Sequence, residues 1–417
     1  MILHLSTFHL EGGAGVAATR LHRALLGAGE DSRMLINTVK PPEKGISALA
    51  DTKWKSGLAY TRFVSERLHF LPFEKDSSIR FAFSPAASGA DISDHPLVQA
   101  ADIIHLHWIN FGFLSMDSLE KLFSLGKPVI WTMHDMWTFT GGCHYSRGCD
   151  NFLSHCQYCP YLSQPDRYDI SFSQFEEKAS IYKLTKMALV SPSRWLRDLT
   201  RQAALTKNIE SQTIPNCINT NIFKPENKSK VRKTLGLPIG KTLILFAGAN
   251  TQDPRKGFLY FEEAMEMMNE SVKDVEVLIF GKSNPESFNN FPVPVHYLGK
   301  ISETRQLVNV YSAADMIVVP SLEDNLPNTI MEAMACGTPT VGFATGGIPE
   351  MIDHEINGYV SALKSSESLS EGIQWIIRNN RSGKISQQAR AKVKDFYSEK
   401  TVTTQYIDLY KSLLQKH

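Results

Sequence analysis

Short apolar runs alternate with amphipathic stretches along most of the chain. MILHLST (1–7) has the pattern of a buried strand. AGVAATRLHRALLGAG (14–29) carries apolar residues at helical spacing and is stopped by Gly27 and Gly29, and SRMLINT (32–38) is a second strand. ADIIHLHWI (101–109) and PVIWTMHD (128–135) read as further strands separated by a helix, SMDSLEKLFSLG (115–126); MALVSPS and SQTIPN close this half. The rhythm then restarts with TLILFAGAN (242–250), the helix FLYFEEAMEMMNES (258–271), EVLIFGK and VHYLGK. It ends with the helix TRQLVNVYSAA (304–314), DMIVVPS (315–321), a helix opening near Pro327, and TPTVGF (338–343). Strands joined by helices in this way imply parallel sheets covered on both faces. Two such series predict an α/β protein of two Rossmann-like domains, 1–218 and 219–400, linked at Asn219–Pro225 where a polar run begins.

The length of 417 residues agrees with two domains, being too long for one ordinary core. A formal net charge of +1 gives no global attraction to nucleic acid, so any anion site has to be local. No run approaches the roughly 20 apolar residues of a membrane span. Met1 opens directly on a strand without a signal-peptide pattern, so a cytoplasmic location is expected. Six cysteines in that reducing compartment are not expected to form a disulfide framework.

Candidate chemistry concentrates between Val319 and Glu350. The strand ending at Val319 delivers Glu323 and Asp324 into a turn, a helix opens near Pro327, and Glu332 follows eight residues after Asp324. Gly337-Thr338-Pro339 leads to the next strand and to a second glycine turn, Gly346-Gly347. Polar turns that feed helix N-termini suit a phosphorylated ligand, since exposed amides donate hydrogen bonds to phosphate and strand-end carboxylates accept them from sugar hydroxyls. The segment reads as a nucleotide-sugar site. Two further strand ends carry candidates. Gly12 and Gly13 open the turn after the first strand, and Arg255 and Lys256 lie in the loop TQDPRKGF. Two cations there would stabilise the charge that develops on a leaving nucleoside diphosphate. His134 ends PVIWTMH; His105 and His107 alternate along IIHLHWI and share a face, with Trp108 expected in the core.

The run EDNLPNTIMEAMACGTP resembles the signature of the retaining, family-4 glycosyltransferases of the GT-B fold: two acidic residues separated by seven others, then Ala-Met-Ala-Cys-Gly-Thr-Pro. Asp324 stands where that family usually has Glu, with Glu323 one place earlier. Lys256-Gly257 matches its basic diphosphate residue. The Arg that usually follows the strand's glycine is replaced by Ala249, leaving Arg255 as the substitute. The resemblance implies two parallel sheets facing across a cleft, with the last helix (401–417) returning to the first domain. It implies transfer of a hexose from a nucleotide diphosphate sugar to a bacterial surface polysaccharide or lipid-linked oligosaccharide acceptor. Retention would proceed by front-face attack assisted by the leaving phosphate. On this reading Glu332 binds the ribose, and Asp324 or Glu323 binds a sugar hydroxyl with amides near Asn325 and Leu326. Gly346 and Gly347 shape the sugar pocket, Gly12 and Gly13 lie near the diphosphate, His134 donates to the donor, and His107 touches the acceptor. No Asp-x-Asp pair is present, so no cofactor or divalent metal is expected in catalysis. A nucleotide-sugar epimerase of the same fold, and a non-catalytic copy that binds a glycan or a partner enzyme, are the alternatives.

Two segments add to this. Cys143, Cys149, Cys156 and Cys159 have a spacing that suits a closed tetrahedral structural zinc site, with His144 and His155 as alternative ligands nearby, the other reading being scattered thiols in an irregular loop. The surrounding WTFTGGCH resembles a subgroup that includes colanic-acid-type polysaccharide glycosyltransferases. Lys53–Phe73 mixes Lys and Arg with Trp54, Tyr60 and Phe63. It suits either peripheral contact with the inner membrane or packing on its own domain.

Overall fold

The computed structural model describes residues 1–38, 43–250, 253–268 and 274–415, and the chain divides into two compact units. The first comprises Met1–Ile214 and Thr403–His417; the second is Pro215–Val402.

Among the described residues the first unit holds β1 (Ile2–Ser6), β2 (Ser32–Thr38), β3 (Ile46–Ala50), β4 (Ile103–Leu106), β5 (Val129–Thr132), β6 (Met187–Ser191) and β7 (Glu210–Thr213). They form one parallel sheet in the order β3-β2-β1-β4-β5-β6-β7. Every residue of β1, β4, β5 and β6 is buried, which is why these strands read as continuous apolar runs rather than alternating ones. The Gly12–Gly27 helix lays Ala17, Ala18, Leu21 and Leu25 on the core. The C-terminal helix, Glu399–Gln415, supplies Tyr406 and Tyr410, whose hydroxyls meet Thr132 at 2.9 Å and His105 at 2.8 Å.

The second unit holds β8 (Thr242–Asn250), β9 (Val275–Lys282), β10 (Val295–Tyr297), β11 (Met316–Val319), β12 (Thr340–Phe343) and β13 (Gly358–Ser361). Their order, β10-β9-β8-β11-β12-β13, is again parallel throughout. The Phe258–Met267 helix occupies the first part of the expected 258–271 stretch, whose end lies outside the described residues, as do Thr251 and Gln252 of the polar loop. At the amino end of β11 the Asp315 carboxylate accepts from Arg232 at 2.7 Å, Lys228 at 2.6 Å and the Leu243 amide at 2.8 Å.

In each sheet the strand order reverses beside the first strand, at β1/β4 and at β8/β11. Adjacent crossovers leave to opposite faces there and open a crevice at the carboxyl ends, where ligands of open α/β sheets bind. Among the described residues no helix is long and apolar enough to cross a membrane.

Candidate active site

Three turns at the carboxyl ends of β8, β11 and β12 are knitted into one surface. The Leu322 amide donates to the Arg255 carbonyl at 2.7 Å, and the Thr345 hydroxyl donates to the Leu322 carbonyl at 3.0 Å. The Gly347 amide donates to the Asp324 carbonyl at 3.2 Å. Two glycines permit this closeness. A Cβ on Gly257 (φ +67°) would stand 1.9 Å from the Pro320 carbonyl oxygen, and one on Gly346 (φ +55°) would stand 1.8 Å from that of Asp324. Only a residue without a side chain fits either place.

On this surface Lys256 Nζ donates to Asp324 Oδ2 at 2.8 Å, with both side chains partly shielded from solvent. Asp253 caps the turn through the Arg255 amide at 3.0 Å and holds the Arg255 guanidinium at 2.8 Å. Both cations are thus fixed at the end of β8 by carboxylates. Glu323 is partly exposed in the same turn, whereas Asn325 and Leu326 are buried behind it. The Asn328–Ala335 helix follows, with Pro327 as its N-cap. Glu332 is buried on that helix and accepts from the Tyr311 hydroxyl at 2.7 Å, which orients its carboxylate. The second unit therefore brings Arg255, Lys256, Asp324, Gly346 and Gly347 together, with Glu332 one layer below the surface.

In the first unit Gly12 and Gly13 are exposed at the opening turn of the Gly12–Gly27 helix, directly beyond β1. The histidines form a chain: His4 Nδ1 lies 3.0 Å from His107 Nε2, and His107 Nδ1 lies 3.2 Å from His134 Nε2. His105, the register partner of His4, bonds instead to Tyr410 and Thr132. Burial pushes His4 and His107 well below the ordinary histidine range, His105 to about 3 and His134 to about 4. The chain is therefore neutral near pH 7, each ring able to pass one donor along the line. His107 is buried with both nitrogens engaged, so it reaches the strand end through His134. Trp108, expected in the core, is half-buried because its indole N–H donates to Asp135 at 2.9 Å. Sequence reading passed over His4, Tyr311 and Asp253. His4 and His107 lie 103 positions apart, beyond the reach of any local pattern.

The four cysteines of the segment after β5 line one small cavity of about 20 Å³. Burial pushes the Cys156 thiol up to about 11 and that of Cys159 to about 12. Cys217 and Cys336 are buried singly.

A family model described as Glycosyltransferase Family 4 matches residues 11–222, more than half of the chain. The chain belongs to glycosyltransferase family 4. A second model, Glycosyl transferases group 1, matches residues 241–379 of this family-4 glycosyltransferase. WcaC of Escherichia coli (strain K12), whose name assigns it to colanic acid biosynthesis, is 24% identical over 427 residues, covering 99% of this chain and 100% of that protein. Sucrose-phosphate synthase from Thermosynechococcus elongatus superposes with a TM-score of 0.68 at 17% identity, over 100% of this chain and 99% of that one. Anabaena Alr3699/HepE in complex with UDP-glucose gives a TM-score of 0.64 at 18% identity, over 99% of each chain. At these identities the structural likeness shows the fold, two Rossmann-like parallel-sheet domains of the GT-B type.

Proposed function

We propose that this glycosyltransferase is a retaining enzyme that moves a hexose from a nucleotide diphosphate sugar to a bacterial surface polysaccharide or a lipid-linked oligosaccharide. The observation that carries the reading is the surface at β8, β11 and β12, where Asp324 holds Lys256 and Asp253 holds Arg255. Fixed cations at a topological switch point suit a diphosphate whose charge grows as the glycosidic bond breaks. In the proposed step the bond from the anomeric carbon to the diphosphate oxygen breaks. The acceptor oxygen attacks the same face, and its proton passes to the leaving phosphate. No protein base is required, in keeping with histidines held neutral by burial.

Glu332, held by Tyr311, would take the ribose hydroxyls. Asp324 or Glu323 would take a sugar hydroxyl, together with amides near Asn325 and Leu326. Gly346 and Gly347 leave room for the sugar ring, and in the first unit His107 positions His134 just beyond the end of β5. The polysaccharide acceptor rests on the relation to WcaC across the whole chain. Peripheral contact with an anionic membrane is supported by the Lys53–Phe70 helix. It buries Ala59, Glu66 and Phe70 but leaves Trp54, Tyr60 and Leu68 exposed beside Lys53 and Lys55.

Calorimetry with UDP, GDP and their hexose conjugates tests the donor site. One nucleotide family should bind, and Glu332→Ala should weaken it at least about tenfold. The anomeric configuration of the product, read by NMR, should match that of the donor. Well-folded protein that binds none of these ligands would favour the non-catalytic alternative, and binding followed by sugar isomerisation without transfer would favour the epimerase.

A further inference from the structure

We propose that Cys143, Cys149, Cys156 and Cys159 form a closed zinc site that staples the irregular segment after β5 and fixes the residues beside His134. Between Phe139 and Ile170 the chain makes only one helical turn, Asn151–Leu153. A connection of this length without its own secondary structure needs something to offset its chain entropy. Phe152 and Cys156 anchor it in the main core, the cluster beneath its second half is small (Phe70, Ile79, Phe83, Tyr161 and Leu162 with Cys159), and all six cysteines are free.

The four thiols, brought together from positions 143 to 159, line one small cavity of about 20 Å³. Its lining includes no carboxylate and no imidazole, and an all-sulfur donor set selects a soft, tetrahedral ion such as zinc. Backbone already turns towards the sulfurs. The Gly141 amide donates to Cys156 Sγ at 3.1 Å, the kind of contact that supports a thiolate ligand. Tyr158, between Cys156 and Cys159, is held at φ +47°, a strained conformation kept only where its surroundings impose it. Lys178 is buried alongside, and its Nζ donates to the carbonyls of Trp137 and Thr140.

No three of the sulfurs lie within 4.8 Å of one another. Among the described residues the only group of potential ligands that meets this spacing is His4, His105 and His107. Two of those imidazoles, however, have both nitrogens occupied: His107 by His4 and His134, His105 by Tyr410 and Thr132. Coordination at about 2.3 Å would draw the thiolates onto the ion and close the cavity between them. The consequence reaches the candidate site through the residue after Cys143. His144 bonds to Asp135 at 2.7 Å and to Ser84 at 3.0 Å, and Asp135 directly follows His134.

The full-length protein, purified without chelator, should carry about one zinc ion per chain by mass spectrometry, with four sulfur neighbours at about 2.3 Å by X-ray absorption. Cys156→Ser and Cys159→Ser should lose the ion. His4→Gln should keep it. Should the cysteine variants fail to fold, titrating the wild-type protein with a mercurial should release the zinc as about four thiols react. Folded protein without zinc after growth in zinc-supplemented medium would overturn the proposal, as would a nitrogen-coordinated zinc lost in His4→Gln or an iron–sulfur absorption band. Metal content and nucleotide calorimetry are independent, so either reading can fail alone.

Discussion

Replacing Gly346 with alanine should disrupt the surface formed at the carboxyl ends of β8, β11 and β12. The added Cβ would sit 1.8 Å from the Asp324 carbonyl oxygen, 2.9 Å from its carbon and 3.4 Å from its nitrogen. An ordinary carbon contact is about 3.5 Å, so one of the two turns has to move by more than an ångström. Both are backbone, and no rotamer change relieves the overlap. Holding alanine at φ +55° adds roughly 1 kcal/mol. Losing the Gly347 amide bond to Asp324 adds about 1 kcal/mol, and repacking the turn about 1–3 kcal/mol. The total is roughly 3–5 kcal/mol, which for a domain of this size lowers the melting temperature by about 6–20 °C. Differential scanning calorimetry of Gly346→Ala and Gly240→Ala reads this directly, because a Cβ on Gly240 meets nothing within 4 Å. Nucleotide affinity should fall with Gly346→Ala, since Asp324 carries the contact to Lys256. If both variants melt within a degree or two of the wild type, the close-approach argument is wrong.

Acid should destabilise the first unit before its carboxylates titrate. His105 is neutral when folded, with a pKa lowered to about 3 by burial, but takes up a proton below about 6.5 when unfolded. Its contribution is therefore complete above pH 6.5 and falls by roughly 2 kcal/mol on going to pH 5. Equal urea midpoints at pH 7 and pH 5 would contradict this, and His105→Asn should flatten the dependence. Asp315→Asn should cost the second unit roughly 2–3 kcal/mol by urea unfolding, because it weakens the partner of the buried Arg232. Burial alone would raise the Asp315 pKa; Lys228 and Arg232 outweigh it and hold the carboxyl low, so this loss should persist down to acidic pH. Tyr311→Phe should lower nucleotide affinity about three- to tenfold in calorimetry while changing stability by only about 1 kcal/mol.

The parts legible in the sequence were those with a local period or a contiguous motif. β1, β4, β5, β8 and β11 announced themselves as apolar runs because they are buried on both faces. The turn and helix around Glu323–Glu332 could be placed because strand, turn and helix are consecutive there. β3 was passed over because ISALA is only half-buried at the sheet edge and has little contrast along it. What stayed hidden was joined across distance. Tyr311 reaches Glu332 from a preceding helix, and Tyr410 reaches His105 from 305 positions away. Such bonds come from packing, and packing leaves no period in the chain. The locking of the Asp324 and Gly346 turns was equally invisible, because it depends on a carbonyl direction rather than on a side chain.

The Glu399–Gln415 helix carries a consequence for synthesis. Its opening belongs to the second unit, where the Asn219 amide meets Glu399 at 2.7 Å; from Thr403 onward it belongs to the first. The ribosome therefore makes most of the first unit early but supplies Tyr406 and Tyr410, the partners of Thr132 and His105, only after the whole second unit. Until that helix emerges, the nascent first unit holds hydroxyl and imidazole groups that lack those partners. The part translated first is thus completed after the second, and a stop codon near residue 400 would spare the second sheet while leaving the first without its closing element.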